Sequence, residues 1–118
     1  MIDFYGHPKC TTCKKALAWL AEHDVDVKVR DIRQDVPSEE MFHAWFHQGK
    51  FASKQLFNTS GQKYRSLGLK AQLPKMSKDA QAELLASDGM LIKRPLLIRD
   101  GVLIAVGFKE TAYQELFD

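Results

Sequence analysis

Two cysteines, Cys10 and Cys13, stand two residues apart in a chain that has no others. A C-x-x-C pair can exchange thiol for disulfide, hold a metal ion, or sit inert in a core. Its surroundings separate these readings. His7-Pro8-Lys9-Cys10-Thr11-Thr12-Cys13-Lys14-Lys15 falls where a short apolar strand hands over to a helix. Cys10 would then lie at the helix N-terminus, where unsatisfied backbone N–H groups and the positive end of the dipole favour a thiolate. Such positions, and adjacent cations, lower a cysteine pKa from about 8.5 to anywhere between about 3.5 and 7.5. Lys9, Lys14 and Lys15 add to this, and Cys13, one turn further in, is expected to be more buried and less acidic. Cys10 is therefore assigned as the attacking sulfur and Cys13 as the resolving one. The first forms a mixed bond with a substrate, the second displaces it, and the two close a reversible disulfide. A zinc site would draw on His7, Cys10 and Cys13 but lacks an evident fourth ligand, because His23, His43 and His47 read as surface helix residues. No metal is expected. Inert packing does not suit sulfurs flanked by three lysines.

A second signal is Lys93-Arg94-Pro95. Proline cannot donate to a strand ladder, so Pro95 directly before the apolar run Leu96-Leu97-Ile98 is either a rigid strand start or a special position. Arg94 beside it is a solvated cation or a guanidinium aimed at the thiolate and able to bind an oxyanion. Phe57-Asn58-Thr59-Ser60-Gly61 precedes a helix and offers N–H groups, so it is an ordinary turn or a border of the site. The candidate substrate- or anion-binding residues are Arg94, Pro95, Thr11, Thr12 and Asn58.

These residues need elements to position them. Ile2–Tyr5 reads as a strand, with Ile2 and Phe4 on one face. A helix is predicted over Thr11–His23, with Ala16, Leu17, Leu20 and Ala21 as its apolar stripe. Val25, Val27 and Val29 alternate with charged residues as a half-buried strand. Strand–helix–strand implies a parallel pair joined by a right-handed crossover. Ser38, followed by Glu39 and Glu40, caps a helix running to about Gln48, whose apolar face is Met41, Phe42, Trp45 and Phe46. A short helix over Lys63–Leu67 ends at Gly68, and another runs from its cap Ser77 to Ser87, closed by Gly89. Strands at Leu96–Ile98 and Val102–Ile104 flank Asp100-Gly101, a dipeptide of tight hairpins. Glu110–Phe117 is a last helix. The order is β-α-β, then helices, then β-β-α: an α/β thioredoxin-like (glutaredoxin-like) fold. Its mixed sheet is covered by helices on both faces, with a helical insert at about 37–90 within a single domain, 1–118.

Composition bounds the function. At 118 residues the chain can build one core and not two. A net charge of +2 gives no basis for direct nucleic-acid binding. No stretch reads as a signal peptide or a membrane span. A cytoplasmic monomer is expected, and in a reducing cytosol a C-x-x-C pair is a chemical device rather than a staple.

Four segments together resemble the arsenate reductase and Spx family: Phe4–Ala16, Tyr64–Leu69, Ser87–Leu96 and Val106–Phe108. The resemblance spans nearly the whole chain and implies a thioredoxin-like fold in which Pro95 is cis and faces the active cysteine. Glutaredoxin-coupled arsenate reductases hold arsenate against one cysteine with three arginines. Cys10 and Arg94 match that cysteine and one arginine. Asn58 stands where another would fall, and nothing near Val106 or Gly107 supplies the third. The resemblance thus implies a thiol–disulfide oxidoreductase with little arsenate reductase activity. It needs no cofactor, and glutathione, a glutaredoxin or a thioredoxin would be its electron donor, so that the partner is a small thiol or a protein thiol. Spx-like members imply a second role, a redox-sensing regulator docked on the RNA polymerase alpha subunit, and a genuine arsenate reductase is the further alternative.

Overall fold

The computed structural model describes residues 1–117, which fall into two compact units, Met1–Asp31 with Arg94–Phe117 and Ile32–Lys93. The first unit holds a four-stranded sheet in the order β2-β1-β3-β4. Strand β1 (Ile2–Gly6) pairs in parallel with β2 (Val27–Asp31) and antiparallel with β3 (Leu96–Arg99), which pairs antiparallel with β4 (Val102–Val106). Helix α1 (Thr11–Glu22) makes the crossover from β1 to β2, and α6 (Glu110–Phe117) follows β4. Asp100 and Gly101 take φ of 51° and 85°, the doubly left-handed turn that matches strand twist.

One face of the sheet makes a core with both helices. Ile2, Phe4, Leu97 and Ala105 meet Cys13, Ala16, Trp19 and Leu20 of α1 and Tyr113 of α6. Tyr113 stands edge-on to Trp19 at 5.5 Å and to Phe108 at 4.8 Å. The buried face of α1 is Cys13, Ala16, Trp19 and Leu20; Cys13 and Trp19 are inside as their types imply, whereas Ala21, expected in the stripe, is exposed. A tryptophan buries far more apolar area than an alanine, which turns the helix towards Tyr113.

Strand β2 also begins later than its valine alternation implies. The Val25 N–H still closes the end of α1 on Leu20 O (2.9 Å), so pairing starts at Val27 opposite Ile2. As the sheet's terminal strand, β2 leaves Val29 57% exposed.

The second unit is helical. Helix α2 (Glu39–His47) packs against α5 (Lys78–Ser87), and its buried Phe42 and Trp45 rings meet edge-on at 5.2 Å. Both starts are capped as the sequence implies: Ser38 Oγ accepts from Met41 N–H at 3.2 Å and Ser77 Oγ from Ala80 N–H at 3.1 Å. Between them lie α3 (Gln62–Ser66), stopped by Gly68 at φ 64°, and α4 (Leu69–Gln72), an extra turn the sequence reading did not separate. Gly89 does not close α5 through a left-handed turn. It begins a 3-10 turn, and a Cβ there would run into the backbone carbonyl of Ile32.

Candidate functional site

The sheet unit brings Cys10, Cys13, Arg94 and Pro95 to the carboxyl end of β1. A strand that must hand over to a helix after Gly6 leaves a four-residue loop, His7–Cys10, whose last member becomes the N-cap of α1. Cys10 takes an extended backbone, φ −85° and ψ 115°, as N-cap residues do. Its N–H donates to His7 O at 3.0 Å and its carbonyl accepts from Lys14 N–H at 3.1 Å. In place of the usual capping oxygen, the Cys10 sulfur accepts from Cys13 N–H at 3.2 Å. Both thiols are free, with Cys10 half-buried and Cys13 buried.

The sulfurs are driven apart electrostatically. Burial pushes the Cys10 thiol up, but hydrogen bonds from Cys13, side chain and backbone, and then from the Arg94 guanidinium and its charge outweigh it. The net result lies below an ordinary thiol. For Cys13, burial again comes first, and the hydrogen bond to Cys10 and the Cys10 charge add to it; only the His7 backbone N–H and Arg94 pull the other way. Its pKa is pushed up to about 12. At neutral pH the pair therefore holds one thiol that ionises more readily than usual and one that stays protonated. The cation responsible for Cys10 is Arg94. Lys9, Lys14 and Lys15, expected from the sequence to assist, are all exposed, where water screens them.

The Arg94–Pro95 peptide is cis, Pro95 is buried, and its carbonyl accepts from Gly107 N–H at 2.8 Å. Arg94 Nη1 is buried without a hydrogen-bond partner among the described residues. Buried guanidinium nitrogens are normally satisfied, so this is an unusual donor to find beside a nucleophile. Thr11 and Thr12 are exposed on the first turn of α1. Asn58 belongs to the helical unit and is half-buried in its own turn. There its N–H donates to Leu91 O at 2.8 Å and its side-chain oxygen accepts from Ser60 Oγ at 3.4 Å.

Three features escaped sequence reasoning. One is the His7 backbone N–H on the Cys13 sulfur. Another is Gly6, where a Cβ would come within 2.8 Å of the Phe4 ring and 3.3 Å of Cys13 Sγ. The third is a cleft of about 260 Å³ reaching Cys13 between α1 and the β1–β2 edge, with Asp31 in its lining. Glycine ending a strand directly before the C-x-x-C loop was the one visible sign of such a close approach. No group of three or more His, Cys, Asp or Glu side chains among the described residues is placed to hold a metal ion. No helix among them is long and apolar enough to cross a membrane.

Comparison with known proteins places this geometry. A model of the ArsC family matches residues 5–116. The uncharacterised protein YusI of Bacillus subtilis is 50% identical over 114 residues, covering 97% of this chain and 96% of that protein. The global transcriptional regulator Spx of Enterococcus faecalis is 29% identical over 93% of this chain and 81% of its own. Among solved structures, a possible arsenate reductase from Streptococcus mutans superposes with a TM-score of 0.93 at 46% identity, covering 98% of this chain and 97% of that one.

Proposed function

The chain belongs to the ArsC family, with a thioredoxin-like fold related to arsenate reductases and Spx regulators, and on that premise we propose that it is a thiol–disulfide redox protein working through Cys10 and Cys13. The observation that carries the reading is the Cys10 sulfur itself: an N-cap acceptor for Cys13 N–H at 3.2 Å that also takes a hydrogen bond from Arg94. Both donors stabilise a thiolate more than a thiol.

The Cys10 thiolate attacks one sulfur of a substrate disulfide, forms a mixed disulfide and expels the other sulfur as a thiolate. Burial, the largest cause of the raised Cys13 pKa, persists, but that bond removes the hydrogen bond to Cys10 and the Cys10 charge that add to it. Cys13 then gives up its proton and attacks Cys10 Sγ, and the second substrate thiolate leaves. The protein dithiol has lost two electrons and the substrate disulfide has gained them. Glutathione, a glutaredoxin or a thioredoxin returns the protein to the dithiol by the reverse exchange. Arg94 Nη1 supplies a donor for an acceptor oxygen next to the sulfur, a carboxylate or a sulfenate, with the hydroxyls of Thr11 and Thr12 and the cis Pro95 bounding it.

Arsenate is a poor fit. Arg94 answers one arginine of the family's set, while Asn58 and the Val106–Gly107 segment offer no cation. Charge-assisted hydrogen bonds are worth about 1.5–3 kcal/mol each, so two fewer weaken oxyanion binding by well over tenfold. The likeness to Spx supports a second reading, a redox-dependent contact with the RNA polymerase alpha subunit and little turnover.

Purified protein assayed with glutathione, glutaredoxin and thioredoxin systems should turn over disulfides at rates that Cys10→Ser abolishes. Alkylation of mildly oxidised protein should leave no free thiol on either cysteine. Two freely alkylated thiols after oxidation, or turnover that survives Cys10→Ser, would overturn the reading. Oxidation-dependent capture of the polymerase alpha subunit without turnover would establish the second. Arsenate reduction at the rate of a three-arginine enzyme would refute the reading of Asn58.

A further inference from the structure

We propose that the helical unit carries a docking surface for an acidic segment of a partner protein, with Leu67 and Met90 as its apolar seat and Lys63, Arg65 and Lys70 as its cationic rim. The surface calls on neither cysteine and goes beyond the redox reading. Its first sign is in the sequence. From Met41 to Lys78 the chain has no aspartate or glutamate and carries seven lysines and arginines. All 15 acidic residues lie outside that stretch, so the overall charge of +2 conceals a basic region on an otherwise acidic chain. Every one of the seven cations is exposed. Arg65, Lys70 and Lys75 make no ion pair among the described residues. Like charges held together repel one another, and an acidic partner relieves that repulsion.

The fold adds an apolar seat inside this region. Leu67 and Met90 are the large apolar side chains that the helical unit leaves exposed, at 40% and 39%. Singly, neither would need an explanation. They flank one contact, however. Helix α3 packs on the 3-10 turn Gly89–Leu91, and beside that turn Lys63 Nζ lies 3.5 Å from Asp88 Oδ2. Leu67 follows Lys63 by one helical turn, on the same side of α3. Met90 is tied to the same carboxylate, its N–H donating to Asp88 Oδ1 at 2.9 Å. Arg65 and Lys70 stand within a turn of Leu67 along the chain, both exposed. Apolar side chains at the centre with charge at the edge are the anatomy of a protein–protein interface. A nucleic acid fits less well. None of the Phe, Trp or Tyr rings between Met41 and Lys78 is exposed for a base to stack on, and Asp88 would set a carboxylate against the phosphates. The matching occupant is a peptide segment whose apolar side chain settles against Leu67 and Met90 while its carboxylates meet Lys63, Arg65 and Lys70.

The probe is a short fluorescent peptide of glutamates around a pair of leucines, titrated with reduced protein and read by anisotropy. Binding should be measurable at low salt and weaken as salt rises. Leu67→Ser should weaken it about tenfold, and so should Arg65→Glu combined with Lys70→Glu. The same reversal at Lys28 and Lys109, exposed cations of the sheet unit, should leave binding in place. A peptide of glutamates alone should bind more weakly than the one with leucines. Amide NMR shifts on adding the peptide should concentrate at 63–70 and 88–91, and the spectra of the variants report whether they are folded. No binding of the leucine peptide, an equal loss from the sheet-unit reversals, or shifts elsewhere overturns the proposal. So does a DNA duplex or an RNA oligonucleotide that displaces the peptide at a lower concentration in the same salt, since the basic stretch would then be reading phosphate.

Discussion

The sheet unit and the helical unit solve the same problem, satisfying polar groups near a core, with opposite results. In the helical unit the caps and several charged side chains find partners, although Gln81 Oε1 is buried without one among the described residues. Ser38 and Ser77 cap their helices, Asp88 accepts from Met90 N–H at 2.9 Å, Lys78 donates to Ser53 Oγ at 2.9 Å, and His43 lies 3.5–3.7 Å from Asp79 and Glu39. In the sheet unit, at the end of β1, a buried thiol is held far from its ordinary pKa and a buried guanidinium nitrogen has no acceptor. Local consistency marks segments selected for stability, and its failure marks segments selected for chemistry. The contrast can be broken by showing that substitutions in the helical unit change sulfur chemistry, or that those in the sheet unit change only stability.

The largest effect should come from Trp45→Ala. Trp45 is 1% exposed, packed on Phe42. Removing it should cost about 3–5 kcal/mol of unfolding free energy in denaturant titrations. In the fraction that remains folded, the pH midpoint for Cys10 alkylation should stay where it is in the wild type. A shifted midpoint would mean that the helical unit tunes the sulfur and would end the contrast.

Next in size is the alkaline limb of stability. Cys13 is raised on folding, so its contribution is fully present below the unfolded thiol's pKa and is lost as pH rises towards about 12. Between about pH 8.5 and 10 the wild type should lose up to about 2 kcal/mol that Cys13→Ala does not. Tyr113 is also raised, by burial first and then by the Cys13 charge, and contributes a loss of the same sign to both proteins. Parallel stability curves for the two proteins over that interval would show that Cys13 ionises in the folded state as easily as in the unfolded one.

Arg94→Met tests the other sulfur. Methionine fills a similar volume and removes both the hydrogen bond and the charge that lower Cys10. The alkylation midpoint should rise, and the rate at neutral pH should fall, because fewer Cys10 sulfurs are then ionised. Thermal stability should change little, because a guanidinium with an unpartnered nitrogen is a poor stabiliser. A large loss of stability with an unmoved midpoint would assign Arg94 to the fold rather than to the thiolate.

How much of this was legible in the sequence follows from the range of each interaction. The strand-to-helix junction at Cys10, the caps Ser38 and Ser77, the Asp100-Gly101 turn and the β-β-α ending are written in residues at most a few positions apart, and each stands where local chemistry puts it. The exposure of Ala21 goes with the packing of Trp19 on Tyr113, nearly a hundred residues away, and no periodicity within the helix reveals it. The exposure of Val29 follows from β2 being the outermost strand, a property of sheet order rather than of the valines. Cys10 and Arg94 were visible as residue types. The weakness of the lysines was not, since three cations beside a cysteine look effective until their exposure is known. Gly6 showed in the sequence only as a glycine before the C-x-x-C loop, and the cleft it borders with Cys13 exists only after the crossover is folded.

The smallest effect sharpens the contrast from the helical side. Ser77 Oγ accepts from Ala80 N–H at 3.1 Å, satisfying one of the four amide donors that open α5, and Asp79 in the first turn suits the dipole. Ser77→Ala removes the acceptor but leaves the helix N-terminus exposed, where water replaces it imperfectly. The expected cost is about 1 kcal/mol, seen as a lower denaturation midpoint with an unchanged slope, and Ser77→Asp should recover it. Cys10, by contrast, is an N-cap whose side-chain acceptor is sulfur, so Cys10→Ser substitutes a better capping atom at the same position. The two serines should therefore have opposite signs. Losing Ser77 destabilises a protein with intact thiol chemistry, and gaining a serine at position 10 maintains or raises stability while thiol exchange disappears. If Cys10→Ser lowered the denaturation midpoint as Ser77→Ala does, the sulfur would be contributing to stability, and the division between a unit built for stability and a site built for chemistry would fail at its central residue.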